Sequence, residues 1–510
     1  MTPTDGLSQA VASSPPEGVA AIVLAAGKGT RLNSDLPKVL HPLMGKPLLQ
    51  RVLETLCQLS LSQITVVLGH GGSQVSDTLD ALSLSTPVHR IVQQPQLGTG
   101  HAIQCVKAVW HTPPLTSTPK TVLITAGDVP LIRPETLRTL LATHQQHHNH
   151  LTVLTATLTE AGSYGRVLLD GAPEAAALQS PSASRSAHSP QVLRIVEAKD
   201  ATPEELALQQ VNTGIYVLDW ETLSPLLDQL SANNAQKEFY LTDLIALAVG
   251  AGFRVGSCAL DQPDEMLGVN SREDLALCHQ VLNQWTLNRL MCQGVTVVDP
   301  DQTTICPEAE IGKDSVIEPG CVLQGAITIG EGCLLGPNSV LKGQVTVGRG
   351  SRVLASWIED SAVGDYCSVG PFAHLRGQTV LANHVRIGNF VEVKNSQIAP
   401  HTNAAHLSYL GDATIGSHVN VGAGTITANY DAIRQIKHRT VIEDGVKIGS
   451  NSVLVAPVTL GANASVAAGS VITKDVLAGS LAIARQRQTT IENWVTDRQQ
   501  SAAASAALEV

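Results

Sequence analysis

Two hydrophobic rhythms divide this chain near residue 295. Ahead of that point, short apolar runs alternate with segments of helical spacing. Val19–Ala25, Ile64–Leu68 and residues 121–125 read as buried strands, and between the first two Leu49, Val52, Leu53 and Leu56 recur on one helix face. The alternation predicts an α/β unit with a mostly parallel sheet covered by helices. Such sheets bind ligands at the carboxyl ends of their strands. Residues 273–293 read as a connecting helix with Leu275, Leu282, Trp285 and Leu290 on one apolar stripe.

Beyond residue 304 the period becomes six. Aliphatic residues stand at Ile305, Ile311, Ile317, Leu323, Ile329, Leu335, Leu341, Val347 and Val353, then from Val363 to Val393, then from Ile442 to Ile472. Gly often follows the aliphatic residue, and a small residue stands four positions after it, as at Ser315, Cys321, Cys333, Ser339, Cys367 and Ser452. This is the hexapeptide signature of a parallel β-helix, with about 18 residues per coil. Each aliphatic side chain points inward onto the next coil, and the small residue fits the corner. Breaks of phase near 358, 398–414 and 426–441 read as loops leaving the coil, the last carrying the polar, basic run NYDAIRQIKHRT. Loops on a rigid solenoid are natural places for chemistry.

Composition narrows the function. The chain has 510 residues, a soft prior of about three structural units. Its hydrophobic fraction of 43% excludes wholesale disorder. A formal net charge of −11 argues against a general nucleic-acid binder, so anionic ligands must be held by a few placed cations and backbone amides. Nine cysteines, none in a CxxC pair, suit a reducing cytoplasm. No apolar run reaches about 18 residues, so no membrane span is expected. Residues 1–18 lack a basic region ahead of an apolar stretch and read as a disordered extension rather than a secretory signal. In the tract 172–190, 14 residues are Ala, Ser or Pro, which predicts a flexible surface loop. His144, His147, His148 and His150 form a polar tract whose plain reading is a solvated helix end rather than a metal site.

The first strand runs into Leu24-Ala25-Ala26-Gly27-Lys28-Gly29-Thr30-Arg31, where small residues let backbone N–H groups approach a phosphate. It is neither a Walker loop nor a dinucleotide fingerprint, since no GK[ST] closes it and Leu32 takes the third glycine position. With the Pro37-Lys38 that follows, the run resembles the sugar nucleotidyltransferase family, marked by LAAGxGTRL and PK. The likeness continues through Gln93 to Ala102, Gly127-Asp128-Val129-Pro130-Leu131, Tyr164-Gly165-Arg166, Ile195 to Ala201, Asn212-Thr213-Gly214 and Gly268-Val269-Asn270. Joined to the hexapeptide half, the chain resembles, from 19 to 497, the bifunctional UDP-N-acetylglucosamine pyrophosphorylases / glucosamine-1-phosphate N-acetyltransferases.

That resemblance implies a Rossmann-like nucleotidyltransferase domain at 19–272, a linker helix at 273–293, an all-β left-handed β-helix acetyltransferase at 294–497 and a tail at 498–510. It implies that Asp128 and Asn270 hold Mg²⁺ and that Arg31 and Lys38 contact phosphates. Leu24, Ala25, Ala26 and Gly27, with Gln93, Gln96, Gly98 and Thr99, would recognise UTP, and Gly165, Glu197 and Asn212 would hold N-acetylglucosamine 1-phosphate. Ala126 stands where the family often has Tyr, which removes a ring contact to the sugar.

In the second half, Ala405-His406-Leu407-Ser408-Tyr409-Leu410-Gly411-Asp412 matches the family's catalytic-histidine motif, and His406 is expected on the second loop that leaves the coil. The resemblance implies that His406 is the base, that Arg376 and Lys394 hold the sugar phosphate, and that Tyr409, Asn420 and Lys437 contact glucosamine 1-phosphate. Glu392 would orient the site, and Asn429 and Tyr430 would lie near coenzyme A or His406. Ala423, Ser450, Ala468 and Arg485 would line the acetyl-CoA cleft, completed by Trp494. Further implications are a homotrimer sharing its acetyl sites and a product that feeds peptidoglycan and lipid A. One alternative keeps the nucleotidyltransferase and makes the β-helix an oligomerisation module only. Another, a catalytically silent scaffold, is disfavoured by Lys38 and Asp128.

Overall fold

The computed structural model describes residues 18–110, 119–170 and 191–508. Residues 1–17 and the tract 172–190 lie outside the described residues. The chain divides into two compact units, Met1–Leu282 and Asn283–Val510.

In the first unit, Val19–Ala25 is the central strand. Its sequence VAAIVLA carries no polar side chain, as a strand covered on both faces requires. It pairs in parallel with Ile64–Leu68 on one side and Thr121–Ala126 on the other. The sheet runs in the order Val255–Ala259, Leu151–Thr157, Gln210–Asp219, Thr121–Ala126, Val19–Ala25, Ile64–Leu68, Val88–Val92. Gln210–Asp219 alone runs antiparallel to both its neighbours on that path. One apolar cluster covers each face. The helix Leu48–Cys57 buries Leu49, Val52, Leu53 and Leu56, the stripe read from its spacing, and Leu48 besides. Parallel register brings the ends of the strands together, with Ala25 beside Leu68 and Leu24 beside Ala126.

The connecting helix spans Arg272–Cys292. It starts on a reciprocal cap: Asp274 N–H donates to Ser271 Oγ at 3.1 Å, and Ser271 N–H to Asp274 Oδ2 at 2.8 Å. The stripe expected on this helix is only partly right. Leu290 is buried, but Leu275, Leu282 and Trp285 are half-buried, and Cys278, Thr286 and Leu287 are the other buried members. The His tract also differs from expectation. His144 is buried, because the helix Pro134–Gln146 turns that position toward the sheet, where its Nδ1 meets Thr152 Oγ1 at 3.0 Å.

The second unit is a three-sided parallel β-helix. One inward column runs Leu323, Leu341, Ile358, Leu375, Val393, Leu410, each beside the next in register and each at most 1% exposed. The small corner residues Ser315, Cys321, Cys333, Ser339, Cys367 and Ser452 are all buried. Cys321 Sγ lies 3.3 Å from Gly336 O and Cys333 Sγ 3.1 Å from Gly348 O, so the corner side chains meet the next coil's carbonyls.

Of the three phase breaks, only the last leaves the coil. Near 358 the ladder stays in place and absorbs a bulge between Lys342 and Val345. Across 398–414, Ile398 pairs with Ile415, and Ala404 takes the inward slot between Ile387 and Val421. A small residue in an aliphatic slot hides the period without breaking the coil. His406 therefore ends a regular strand, Asn403–His406, rather than sitting on an escaping loop. The segment 426–441 does depart, as the hairpin Tyr430–Asp431 with Ile436–Lys437. Asp431 Oδ1 accepts the N–H groups of Ile433 and Arg434 at 2.9 and 3.0 Å to form its turn. The expected tail begins within a helix, Trp494–Leu508, whose run SAAASAAL favours that state.

The inward column predicts a local stability effect. Leu410→Ala is expected to cost about 2–5 kcal/mol through cavity formation. It should lower the midpoint of the β-helix unfolding transition in the full chain and leave the first unit's transition in place.

Candidate active sites

At the carboxyl ends of the first unit's strands lies a cleft of about 1020 Å³. Leu24, Ala25, Ala26, Gly27, Lys38, Gln93, Gln96, Gly98, Thr99 and Asp128 all line it. Gln96 Nε2 donates to Ala26 O and Gln93 Nε2 to Gly98 O, both at 2.9 Å. The first bond ties the loop after Val88–Val92 to the Gly-rich turn, and the second closes that loop on itself. Thr99 Oγ1 accepts from Leu241 N–H at 3.0 Å. Two glycines are required by close approach. Gly29 adopts φ +61°, and a Cβ there would lie 2.6 Å from Lys38 Cβ. A Cβ on Gly69 would meet Gln96 Nε2 and lie 2.6 Å from Ala26 O. Gly69, His70 and Glu238 also line the cleft and were not singled out from the sequence, since a Gly-His-Gly strand end carries no signal beyond a turn. Arg31 stands apart from the lining, exposed on the turn Thr30–Leu32.

The electrostatic centre is Lys38. Its ammonium pairs with the Asp128 carboxylate and donates to Asn270 Oδ1 at 2.7 Å. Asn270 is fixed by the helix start, because its N–H donates to Asp274 Oδ2 at 2.8 Å. Two oxygens, one from a strand end and one from a helix start, thus converge on one cation. Mg²⁺ prefers oxygen donors and takes one or two from protein with phosphates and water completing its shell, so Asp128 and Asn270 fit it. Among the described residues no group of three or more His, Cys, Asp or Glu is arranged for a metal.

Gly165, Glu197 and Asn212 form a separate group. Asn212 N–H donates to Gly165 O at 2.9 Å, and Asn212 Nδ2 to Tyr216 Oη at 2.7 Å. Glu197 accepts from Thr242 Oγ1 at 3.2 Å. A Cβ on Gly165 would stand 3.6 Å from a Glu197 carboxylate oxygen. Burial chiefly, with Asp200 and Asp243 adding, pushes the Glu197 carboxyl above the ordinary carboxylate range.

On the β-helix, adjacent strands place Arg376 in register with Lys394, and Lys394 with Gly411. Arg376 Nε donates to Glu392 Oε1 at 2.8 Å and Nη2 lies 2.6 Å from the same oxygen. Lys437, from the hairpin, lies beside Lys394 and pushes its ammonium below the usual lysine range, with burial and Arg376 adding and Asp412 opposing. Three cations thus share one small area, an arrangement that favours a doubly charged anion. Asp412, buried, accepts from Asn395 Nδ2 at 2.5 Å and from Asn429 Nδ2. Asn429 therefore anchors the hairpin, whose base closes with His438 N–H on Asn429 O at 2.8 Å. Tyr430 lies exposed on that hairpin, in register with Lys437. Tyr409 lies in register with Glu392, whereas Asn420 stands on another face, beside Asn403 and Lys447.

His406 is exposed, and its Nδ1 lies 2.7 Å from Asn389 Oδ1 on the preceding coil. Ala404, Val421, Ile448, Val466 and Ala482 pair successively, so two residues further on His406, Ala423, Ser450 and Ala468 form one column. Past His406 this column carries only small side chains, and Arg485 lies 3.9 Å from the position of a Cβ on Gly469, the residue after Ala468. Trp494 is exposed, with Arg498 Cζ 4.9 Å from its ring centre.

Sequence comparisons match both units of the chain. The MobA-like NTP transferase domain profile matches residues 21–198, the GMPPB C-terminal domain profile 299–409, and the bacterial transferase hexapeptide profile, of six repeats, 439–474. The hexapeptide match fits a left-handed β-helix. The chain is 44% identical over 476 residues to the bifunctional protein GlmU of Acaryochloris marina, covering 93% of this chain and 98% of that protein. It is 44% identical over 476 residues to that of an Exiguobacterium species, with the same coverage. It is 43% identical over 475 residues to that of Trichlorobacter lovleyi, covering 93% and 97%.

The raised Glu197 carboxyl generates a pH prediction. The folded chain holds that proton more tightly than the unfolded chain, so stability is lost as pH rises through the folded value. Glu197→Gln keeps the shape and removes the charge. It is expected to raise the melting temperature at about pH 7, with the gain vanishing below about pH 4, where both forms are neutral. Thermal unfolding across that range checks it; a gain independent of pH would contradict the assignment.

A nucleotidyltransferase fold carrying the Lys38–Asp128–Asn270 centre, a hexapeptide β-helix carrying His406, and near end-to-end likeness to relatives that have both together make this chain a member of the bifunctional GlmU family.

Proposed function

We propose that this chain makes UDP-N-acetylglucosamine by two successive transfers, each carried by one of its units. The β-helix unit acetylates the amine of glucosamine 1-phosphate from acetyl-CoA. The α/β unit then joins N-acetylglucosamine 1-phosphate to the uridylyl group of UTP and releases pyrophosphate. The observation that carries the bifunctional reading is the gathering of Arg376, Lys394 and Lys437 on the unit that bears His406. A β-helix that served oligomerisation alone would gain nothing from three repelling cations.

In the uridylyl site, a phosphate oxygen of the sugar attacks the α-phosphorus of UTP, and the bond to the β-phosphate oxygen breaks. Both reactants are anions. Lys38 and Arg31 offset that repulsion at the phosphates, while Gln93, Gln96, Gly98 and Thr99 hold the uridine end. Glu197, Asn212 and Gly165 hold the amino sugar. Asp128 and Asn270 would hold Mg²⁺, which when bound neutralises phosphate charge and aligns in-line attack.

In the acetyl site, Arg376, Lys394 and Lys437 hold the sugar phosphate, and Glu392 fixes the Arg376 guanidinium. His406 takes a proton from the amine as nitrogen attacks the thioester carbon. The C–N bond forms, the C–S bond breaks and coenzyme A leaves as the thiol. Ala423, Ser450 and Ala468 leave room for its arm, and Arg485 meets its phosphates.

The chain acts as a homotrimer in the cytoplasm. Support for assembly comes from a ridge of Phe372, Phe390 and Leu407, each more than half exposed at successive corners beside His406. Asn420, on a different face from Arg376 and Lys394, is available to a neighbouring copy's sugar. Among the described residues no helix is long and apolar enough to cross a membrane.

With UTP and glucosamine 1-phosphate, UDP-N-acetylglucosamine is expected only when acetyl-CoA is added. Asp128→Ala should abolish uridylyl transfer and spare acetylation, and His406→Ala should do the reverse. Chromatography of the product and assay of released thiol measure the two steps separately. Either variant losing both activities while folded would contradict the division of labour.

A further inference from the structure

Asn389 ends the strand Arg386–Asn389 and lies in register with His406 on the next coil. The backbone fixes the pair, since Leu407 N–H donates to Asn389 O at 3.0 Å. The Asn389 side-chain oxygen faces His406 Nδ1 at 2.7 Å. A neutral imidazole carries one N–H, and the partner of one ring nitrogen decides which nitrogen keeps it. We propose that Asn389 is a positioning residue for acetyl transfer: its amide oxygen accepts the Nδ1–H of His406 and keeps Nε2 unprotonated, turned outward as the base.

This inference rests on the reading of His406 as base. The imidazole is exposed. Without a partner, its ring would rotate and exchange tautomers in water, and only part of the population would present a lone pair to the substrate amine. An amide supplies direction without charge. The strands on either side, Arg386–Asn389 and Asn420–Val421, carry one ionisable group between them, Arg386, which is in register with Asn403 rather than His406. The column continues to Ala423, which does not ionise. The step balances: the amine nitrogen gains the acetyl carbon, its proton passes to Nε2, and the thiolate leaves with the electron pair of the C–S bond and is protonated.

The test uses the full chain and pH–rate profiles of thiol release from acetyl-CoA with glucosamine 1-phosphate. Circular dichroism and thermal unfolding monitor the fold. Asn389→Leu is expected to lower kcat about 10–100-fold, as loss of an orienting partner does elsewhere, and to leave the KM for acetyl-CoA unchanged. Asn389→Asp, which can only accept, should recover most of kcat and move the acid limb of the profile to higher pH, because a carboxylate favours the charged imidazole. If Asn389→Leu fails to fold, the Asp variant decides. A full-rate Asn389→Leu enzyme, a folded but inactive Asn389→Asp enzyme, or an unmoved acid limb overturns the proposal. Acetyl transfer surviving in His406→Ala overturns the base reading and this inference with it. Loss there beside a full rate in Asn389→Leu overturns this inference alone.

Discussion

Register between successive coils governs the second unit. Each backbone rung is hydrogen-bonded to the rung before it, so a residue's place along the axis is set by its neighbour rather than by its own packing. That constraint turns sequence spacing into columns. Arg376 and Lys394 are brought together this way, as are Asn389 and His406, and the small residues Ala423, Ser450 and Ala468. The inward aliphatic column holds the rungs in line by removing apolar surface from water at every coil. Chemistry on the outside is thus positioned by a repeat that has no chemical role itself.

The first unit reaches the same end by other means. Parallel strands deliver their carboxyl ends to one edge, where loops have room to gather distant residues. Lys38, Asp128 and Asn270 come from three separate segments and meet there through one ion pair and one hydrogen bond. In a chain of net charge −11, the β-helix gathers three cations in one place, which suits an anionic sugar phosphate, whereas the first unit sets Lys38 against Asp128.

Much of this was legible in the sequence. The strands Val19–Ala25 and Ile64–Leu68 carry uninterrupted apolar runs, and the hexapeptide period survives wherever the inward slot is Ile, Leu or Val. It disappears where the slot is filled otherwise. Ala404 is too small to register as apolar punctuation. Thr427 is polar, yet buried at 1% exposure, because its hydroxyl accepts Gly411 N–H at 2.7 Å. That is why His406 reads as a loop residue but ends a strand. The His144 tract misleads for a related reason: polarity alone does not reveal that Thr152 satisfies the ring. Asn389 carries no sequence signal at all, since its role depends on a partner 17 positions away on the next coil.

The final rung, Leu481–Ala482, has a paired neighbour on one side only among the described residues. Leu477, Leu481 and Ile483 around it are largely exposed. Openings in a stacked array begin at its ends, where half the holding contacts are missing. The solenoid is therefore expected to fray from this last rung first, ahead of the coils that hold Asn389 and His406 in line.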